Sequence, residues 1–257
     1  MFLDPQDSLR LGRYGVYEPF ETQLFERCLA PGDTVIDVGA NIGYYTLAAA
    51  RAVGPEGKVF AFEPDPSNFR CLHRNVARNG YRNVVLENCA VCDLDGTVEL
   101  HLAVRNTGDH RIFETQEPRR RIAVPAVRLD SYFGADLPAV RLLKMDIQGA
   151  EGRAIAGMHA LLAASEHAAL FLEFWPAGLR LGGTDPAGFL DRLRDGGFHL
   201  RRIDEAAERV EQITISRLLS DHDVSDPTAV DVTRPEYYTN LICFKPGAAE
   251  FLDEPIT

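Results

Sequence analysis

The chain has 257 residues, a hydrophobic fraction of 46% and a formal net charge of −11. That size and apolar content suit one large α/β domain with a full core. No apolar run approaches the roughly 18 residues of a membrane span, and the net acidity argues against a nucleic-acid partner.

The five cysteines show no metal or disulfide spacing. Cys89 and Cys92 form an isolated C-x-x-C and read as small buried hydrophobes. Residues 1–15 lack a basic region followed by an apolar core, so they do not read as a signal peptide. Both features point to a reducing, cytoplasmic setting.

Residues 1–17 are polar and rich in turn formers, and a short hairpin across Gly12 and Arg13 is expected there. Apolar residues at 20, 24, 25, 28 and 29 have helical spacing, with Pro19 at the first turn. Residues 1–32 thus form an extension ahead of the first strand. That strand covers 34–38, with Val35, Ile36 and Val38 interrupted by Asp37. Gly39 to Gly43 make a tight turn, and an apolar segment of helical length follows from Tyr44. Strand, glycine turn and helix make up the mononucleotide-binding half of a doubly wound fold.

The second strand, 59–62, leads into Glu63, and Pro64 closes it. A helix over 65–79 stops at Gly80. Strand three spans 84–91, and its end, around Ala90, lies beside Glu63 at the same sheet edge. Asp95-Gly96 signals a hairpin. Residues 97–104 and 122–129 then form a small antiparallel insertion. Arg119, Arg120 and Arg121 read as a solvated strand entry. The polar loop at 106–111 reads as an ordinary solvated loop, with a substrate loop carrying His110 as a base the alternative.

Residues 129–133 end the insertion, with Asp130 as a cap. Strand four, 141–147, carries Lys144 and Asp146, and a helix is expected from Glu151 to about residue 164. Strand five, 169–175, holds Glu173 in apolar surroundings, where a charge needs a partner or a ligand. A helix over 184–196 and strand six at 198–203 follow. The long acidic stretch 204–236 reads as a lid or mobile loop. The last strand, 238–244, is expected antiparallel, between strands five and six. The whole is one α/β domain over 1–257, Rossmann-like, with a mostly parallel seven-stranded sheet.

Chemistry follows from the turn and the two acids. The glycines allow close approach of a ligand, and the helix start offers free N–H groups to an anion. The middle glycine of the dinucleotide fingerprint is replaced by Asn41. Asp37 would repel a pyrophosphate but pair with an ammonium. Glu63 lies 24 positions after Gly39, near the spacing of an acid that holds a ribose. Ammonium, carboxylate and ribose together describe S-adenosylmethionine (SAM). Its expected site is Asp37, Gly39, Asn41, Gly43, Glu63, Pro64, Ala90 and Asp146. A dinucleotide site and a fold with no cofactor are the alternatives.

The stretches VIDVGANIGYYTLAAA, VFAFEPDPSNFRCLHRNVARNG, VRLDSYF, LLKMDIQGAE and TNLICFKP, in this order, resemble the FkbM family of SAM-dependent methyltransferases. The resemblance runs from about residue 17 to 246. It implies the class I methyltransferase fold and O-methylation of a hydroxyl on a small molecule or sugar, often in a biosynthetic pathway. N- or RNA-methylation and a non-catalytic SAM-binding protein are the alternatives. Losing a hydroxyl proton calls for a general base. Asp146 is the first candidate, followed by Glu173, Glu151 and His110. Asp146, Glu151 and Glu173 could also hold a hard cation, but no histidine spacing supports a transition metal and no metal is expected. Gln148 stands where many members carry an acid.

Overall fold

The computed structural model describes residues 1–104, 106–114, 118–222 and 237–248. The chain opens with α1 (Leu11–Tyr14) and α2 (Pro19–Arg27). Next come β1 (Thr34–Val38), α3 (Tyr44–Val53), β2 (Lys58–Phe62), α4 (Pro66–Asn79) and β3 (Val84–Glu87). An insertion then supplies β4 (Ala90–Val91), β5 (Gly96–Leu102), β6 (Arg120–Val127) and α5 (Leu129–Phe133). The second half holds β7 (Leu142–Met145), α6 (Glu151–Ala156), α7 (His159–Ala164), β8 (Ala169–Phe174) and α8 (Pro176–Leu181). It ends with α9 (Pro186–Asp195), β9 (His199–Asp204), β10 (Arg209–Gln212), α10 (Ile215–His222) and β11 (Thr239–Phe244).

The main sheet has the order β10-β9-β11-β8-β7-β1-β2-β3. Strands β3, β2, β1, β7 and β8 run parallel. Strand β11 pairs antiparallel with both β8 and β9, as expected for the last strand. The central strands are mostly apolar because both faces are covered, with Asp37, Lys144 and Glu173 the charged exceptions towards their carboxyl ends. Ile36, Val38, Leu143 and Leu172 pack into one core with Ile155, Leu161 and Phe189. Val35, Leu142 and Phe171 point the other way, onto Phe25 and Ala49. Period-2 alternation thus splits each strand between two cores.

Several local expectations are corrected. The N-terminal hairpin is instead α1, a single turn bracketed by left-handed Arg10 (φ 53°) and Gly15 (φ 76°). Strand 84–91 breaks at Asn88, whose amide donates to the carbonyls of Glu63 (2.7 Å) and Pro64 (3.2 Å). Ala90 and Val91 then pair with β6 in a separate three-stranded sheet. The helix expected over 151–164 is two helices, broken at Gly157 and Met158. A Cβ on Gly157 would sit 2.1 Å from the Cys92 carbonyl oxygen, so the chain passes too close for any other residue. Asp130, expected to cap the short turn at 129–133, instead caps the second helix, accepting from the Ala160 (3.1 Å) and Leu161 (2.9 Å) amides.

The start of the stretch read as a lid is regular structure. Strand β10 extends the sheet by an eighth strand, antiparallel to β9. Helix α10 packs near α9, with Leu218 fully buried. Residues 223–236 lie outside the described residues. Helix α8, begun by Pro176, was not anticipated. Pro176 lies just past β8 and serves as the first-turn residue of this helix.

Candidate active site

The carboxyl ends of β1, β2, β7 and β8 meet at one edge, where open α/β sheets take ligands. The β1–α3 turn is held against that edge. Gly39 has φ 80° and Gly43 φ 93°. A Cβ on Gly39 would lie 2.3 Å from the Asp146 carbonyl oxygen, and one on Gly43 2.6 Å from a Leu72 methyl. Only glycine fits either place. Asn41 between them is also left-handed (φ 51°).

This geometry aims the Asn41 amide at Glu63 Oε2 (2.8 Å), while the Asp65 amide donates to Oε1 (2.9 Å). The buried Glu63 carboxylate is therefore fixed in place, and each oxygen keeps a second acceptor direction. Burial pushes its pKa up to about 8, against the pull of the two amides. Asp37, also buried, accepts from the Thr46 hydroxyl. Burial raises it to about 6, and the Thr46 bond opposes the shift.

Two cavities adjoin here. The first, about 150 Å³, is lined by Asp37, Gly39, Asn41, Glu63, Pro64 and Ala90, among others. The second, about 910 Å³, is lined by Glu18, Arg111, Arg119, Glu173, Trp175 and Tyr238, among others. Tyr17, Asn106, Lys144, Asp146 and Gln148 line both, so they form the wall between them.

That wall is dense in charge. Gln148, left-handed at φ 56°, donates through Nε2 to Asp146 Oδ1 (2.7 Å) and Glu173 Oε2 (3.4 Å). Asn240 does the same for a second pair, Glu21 Oε2 (2.6 Å) and Glu18 Oε1 (3.2 Å). The Lys144 ammonium lies 3.6 Å from Glu21. Burial opposes its charge, but Glu21, Asp146, Glu18 and Asp37 outweigh that and hold it above the ordinary range. Burial and then Glu21 push Glu18 up to about 8. Burial, Asp146 and Glu151 raise Glu173 well above the usual carboxylate range.

The sequence candidates are thus mostly brought together: Asp37, Gly39, Asn41, Glu63, Pro64, Ala90 and Asp146 around one cavity, Asp146 and Glu173 around the other. Gly43 acts one step back, shaping the turn. Glu151 is fully buried; its Oε1 takes the Ile147 amide (3.1 Å). His110 lines only the first cavity; its Nδ1 accepts from the Ala103 amide (3.0 Å), and its Nε2 lies 3.8 Å from Asp65. Among the described residues no three His, Cys, Asp or Glu converge as a metal site.

The insertion loop is not the solvated segment expected. The Thr107 carbonyl accepts from Asn68 Nδ2 (2.9 Å), closing the loop over the first cavity. Nor is Arg119 a solvated strand entry: with its side chain 7% exposed, it pairs with Asp109 at 2.6 Å. Sequence reasoning also missed Tyr17, Glu18, Glu21 and Asn240. The only signal for Glu18 and Glu21 was their place on a helix before the first strand.

The residues fit the ammonium and ribose of the expected ligand, whereas the turn amides expected to hold its carboxylate are mostly taken: those of Gly39 and Ala40 donate to the Phe62 carbonyl, that of Asn41 to Glu63 and that of Gly43 to the Ala40 carbonyl. Asp37 and the Glu63 pair of free acceptor directions match the ammonium and the hydroxyls. The Asn41 Oδ1, buried and without a partner among the described residues, awaits a donor. A doubly wound sheet with a glycine turn after β1, an acid after β2 and an antiparallel last strand defines a class I SAM-dependent methyltransferase. A Streptococcus mutans protein assigned as a methyltransferase and solved with S-adenosylhomocysteine (SAH) has this fold. It matches with TM-score 0.51 and 9% identity, over 88% of this chain and 96% of its own.

Residues 37–200 match the Methyltransferase FkbM domain, and the chain belongs to that family. Methyltransferase 1 of Beauveria bassiana is 26% identical over 162 residues, 55% of this chain and 65% of its own. The 31-O-demethyl-FK506 methyltransferase FkbM of Streptomyces tacrolimicus is 29% identical over 160 residues, 51% of this chain and 61% of its own. The chain thus covers under two thirds of each of these relatives. SAM is the cofactor of the family. Among the described residues no helix is long and apolar enough to cross a membrane.

Proposed function

We propose that the protein methylates a hydroxyl group on a small molecule or sugar. The observation that carries this reading is the shared wall: Asp146, Lys144, Gln148, Tyr17 and Asn106 face both cavities. A donor in the first and an acceptor in the second would meet beside the Asp146 carboxylate. The relative from Streptomyces tacrolimicus, whose name specifies an oxygen acceptor, supports the choice of oxygen.

When bound, SAM supplies an electrophilic methyl carried on a sulfonium. This chain's part is to bind, orient and move a proton. Glu63 would accept from both ribose hydroxyls and Asp37 would face the ammonium, with the 39–43 turn, Pro64 and Ala90 as walls. The amides of Gly39, Ala40, Asn41 and Gly43 already donate to Phe62, Glu63 and Ala40 and take no part. Holding the acceptor oxygen about 3 Å from the methyl supplies much of the rate. Asp146 or Glu173, joined through Gln148, would take the hydroxyl proton. His110, confined to the first cavity, is not assigned as the base.

The test is a panel of hydroxylated and amine acceptors assayed for SAH release, with Asp146→Asn alongside. Release with alcohols, cut about 10²-fold or more in the variant, is expected of a lost general base. Release with amines alone would overturn the oxygen assignment.

A further inference from the structure

The second cavity is polarised. Its central-sheet side carries the carboxyl groups of Asp146 and Glu173. Its insertion side carries two guanidinium groups. Arg111 and Arg119 both pair with Asp109, at 2.6 Å each, and among the described residues neither has a second ion-pair partner. Arg119 also donates to the Asp109 carbonyl. Both arginine side chains are over nine-tenths buried, at 8% and 7% exposure. Two buried cations therefore share one carboxylate.

Two further N–H donors nearby have no acceptor. Arg119 Nε and Trp175 Nε1 are buried without a hydrogen-bond partner among the described residues. The Arg111 guanidinium lies over the Trp175 ring, 4.6 Å from its centroid. An uncompensated buried cation and unpartnered buried donors both cost free energy. Each deficit is met by the same chemistry, an anionic oxygen acceptor.

We propose that Arg111, Arg119 and Trp175 form a subsite for an oxyanion carried by the acceptor, a carboxylate or a phosphoryl group. This rests on the second cavity being the acceptor site, and it narrows the acceptor to a hydroxylated anion. The arginines would hold the charged end while the hydroxyl reaches the Asp146 and Glu173 side. Guanidinium forks suit this task because they match carboxylate and phosphate oxygens in pairs.

Trp175 is the chain's single tryptophan, so its emission reports on the subsite directly. The protein saturated with SAH is titrated with inorganic phosphate, sulfate and acetate, each against sodium chloride at matched ionic strength. The expected result is a saturable change in emission with at least one oxyanion. The tighter of phosphate and acetate identifies the source. Arg119→Gln and Arg111→Gln should weaken it about tenfold or more, the loss expected for one charge-assisted bond. Arg119→Lys, which keeps the charge, should lose less. Unchanged SAH affinity by calorimetry marks the variants as folded. A response that follows ionic strength alone, or one unaltered in both Gln variants, would overturn the subsite. Failure of the native chain to bind SAH would instead count against the donor-site reading.

Discussion

Replacing Glu63 with alanine is expected to weaken SAH binding at pH 7 by one to three orders of magnitude. The carboxylate already accepts from the Asn41 and Asp65 amides, which leaves one acceptor direction per oxygen for two ribose hydroxyls. Charge-assisted bonds contribute about 1.5–3 kcal/mol each, so two give about 3–6 kcal/mol. Ionising Glu63 at pH 7, against its pKa of about 8, costs about 1.4 kcal/mol of that. The remaining ~1.5–4.5 kcal/mol corresponds to roughly one to three decades. Glutamine is no neutral control here, because its NH₂ would face one of the two backbone amides. The assay is titration calorimetry with SAH, with circular dichroism to establish folding. The same reasoning predicts that native affinity climbs as pH rises from 7 towards 8, above the Asp37 range, while the alanine variant loses that part of the slope. Unchanged affinity in a folded Glu63→Ala protein would refute the ribose assignment.

Gln148→Glu puts a third carboxyl between Asp146 and Glu173, which disfavours ionisation of the set. The acidic limb of the kcat/KM profile should move up by about one pH unit, and an unmoved limb would remove Gln148 from the proton-handling array. Gly39→Ala forces a Cβ to 2.3 Å from the Asp146 carbonyl at φ 80°. It should lower Tm and raise the SAM KM together, since positive-φ strain alone costs about 1 kcal/mol or more; native values for both would contradict the close approach. In the ligand-free protein, burial holds Glu63 near 8 and Glu151 near 7, against an ordinary 4.5. The folded chain then keeps protons that the unfolded chain releases, so stability falls as pH climbs from about 4.5 to 8. The slope is about 1.4 kcal/mol per pH unit for each such group. A thermal midpoint that stays level or rises from pH 6.5 to 8 would contradict those shifts.

The lining of the first cavity, the proposed donor site, was legible because its signals are local. Asp37, the glycine turn and Glu63 sit within one β-α-β unit, and strand–turn–helix spacing fixes where their side chains emerge. The lining of the second cavity, the proposed acceptor site, was not legible, since it is assembled across the chain. Asn240 reaches Glu21 over a separation of 219 residues. Nothing near Glu18 or Glu21 marks them as neighbours of Lys144. Arg119 looked like part of a solvated basic run because its partner, Asp109, sits in a loop with no periodicity. Helix ends fared unevenly for a similar reason. Asp65 and Gly80 are local start and stop signals, whereas the break at Gly157 is set by the close approach of the Cys92 carbonyl, 65 residues away in sequence.

The most direct measurement is a crystal structure of the protein grown with SAH. The account predicts both ribose hydroxyls on the Glu63 carboxylate, the ammonium facing Asp37, and the sulfur at the wall beside Asp146. A donor product bound with Asp37 and Glu63 turned away from it would contradict the assignment at its root.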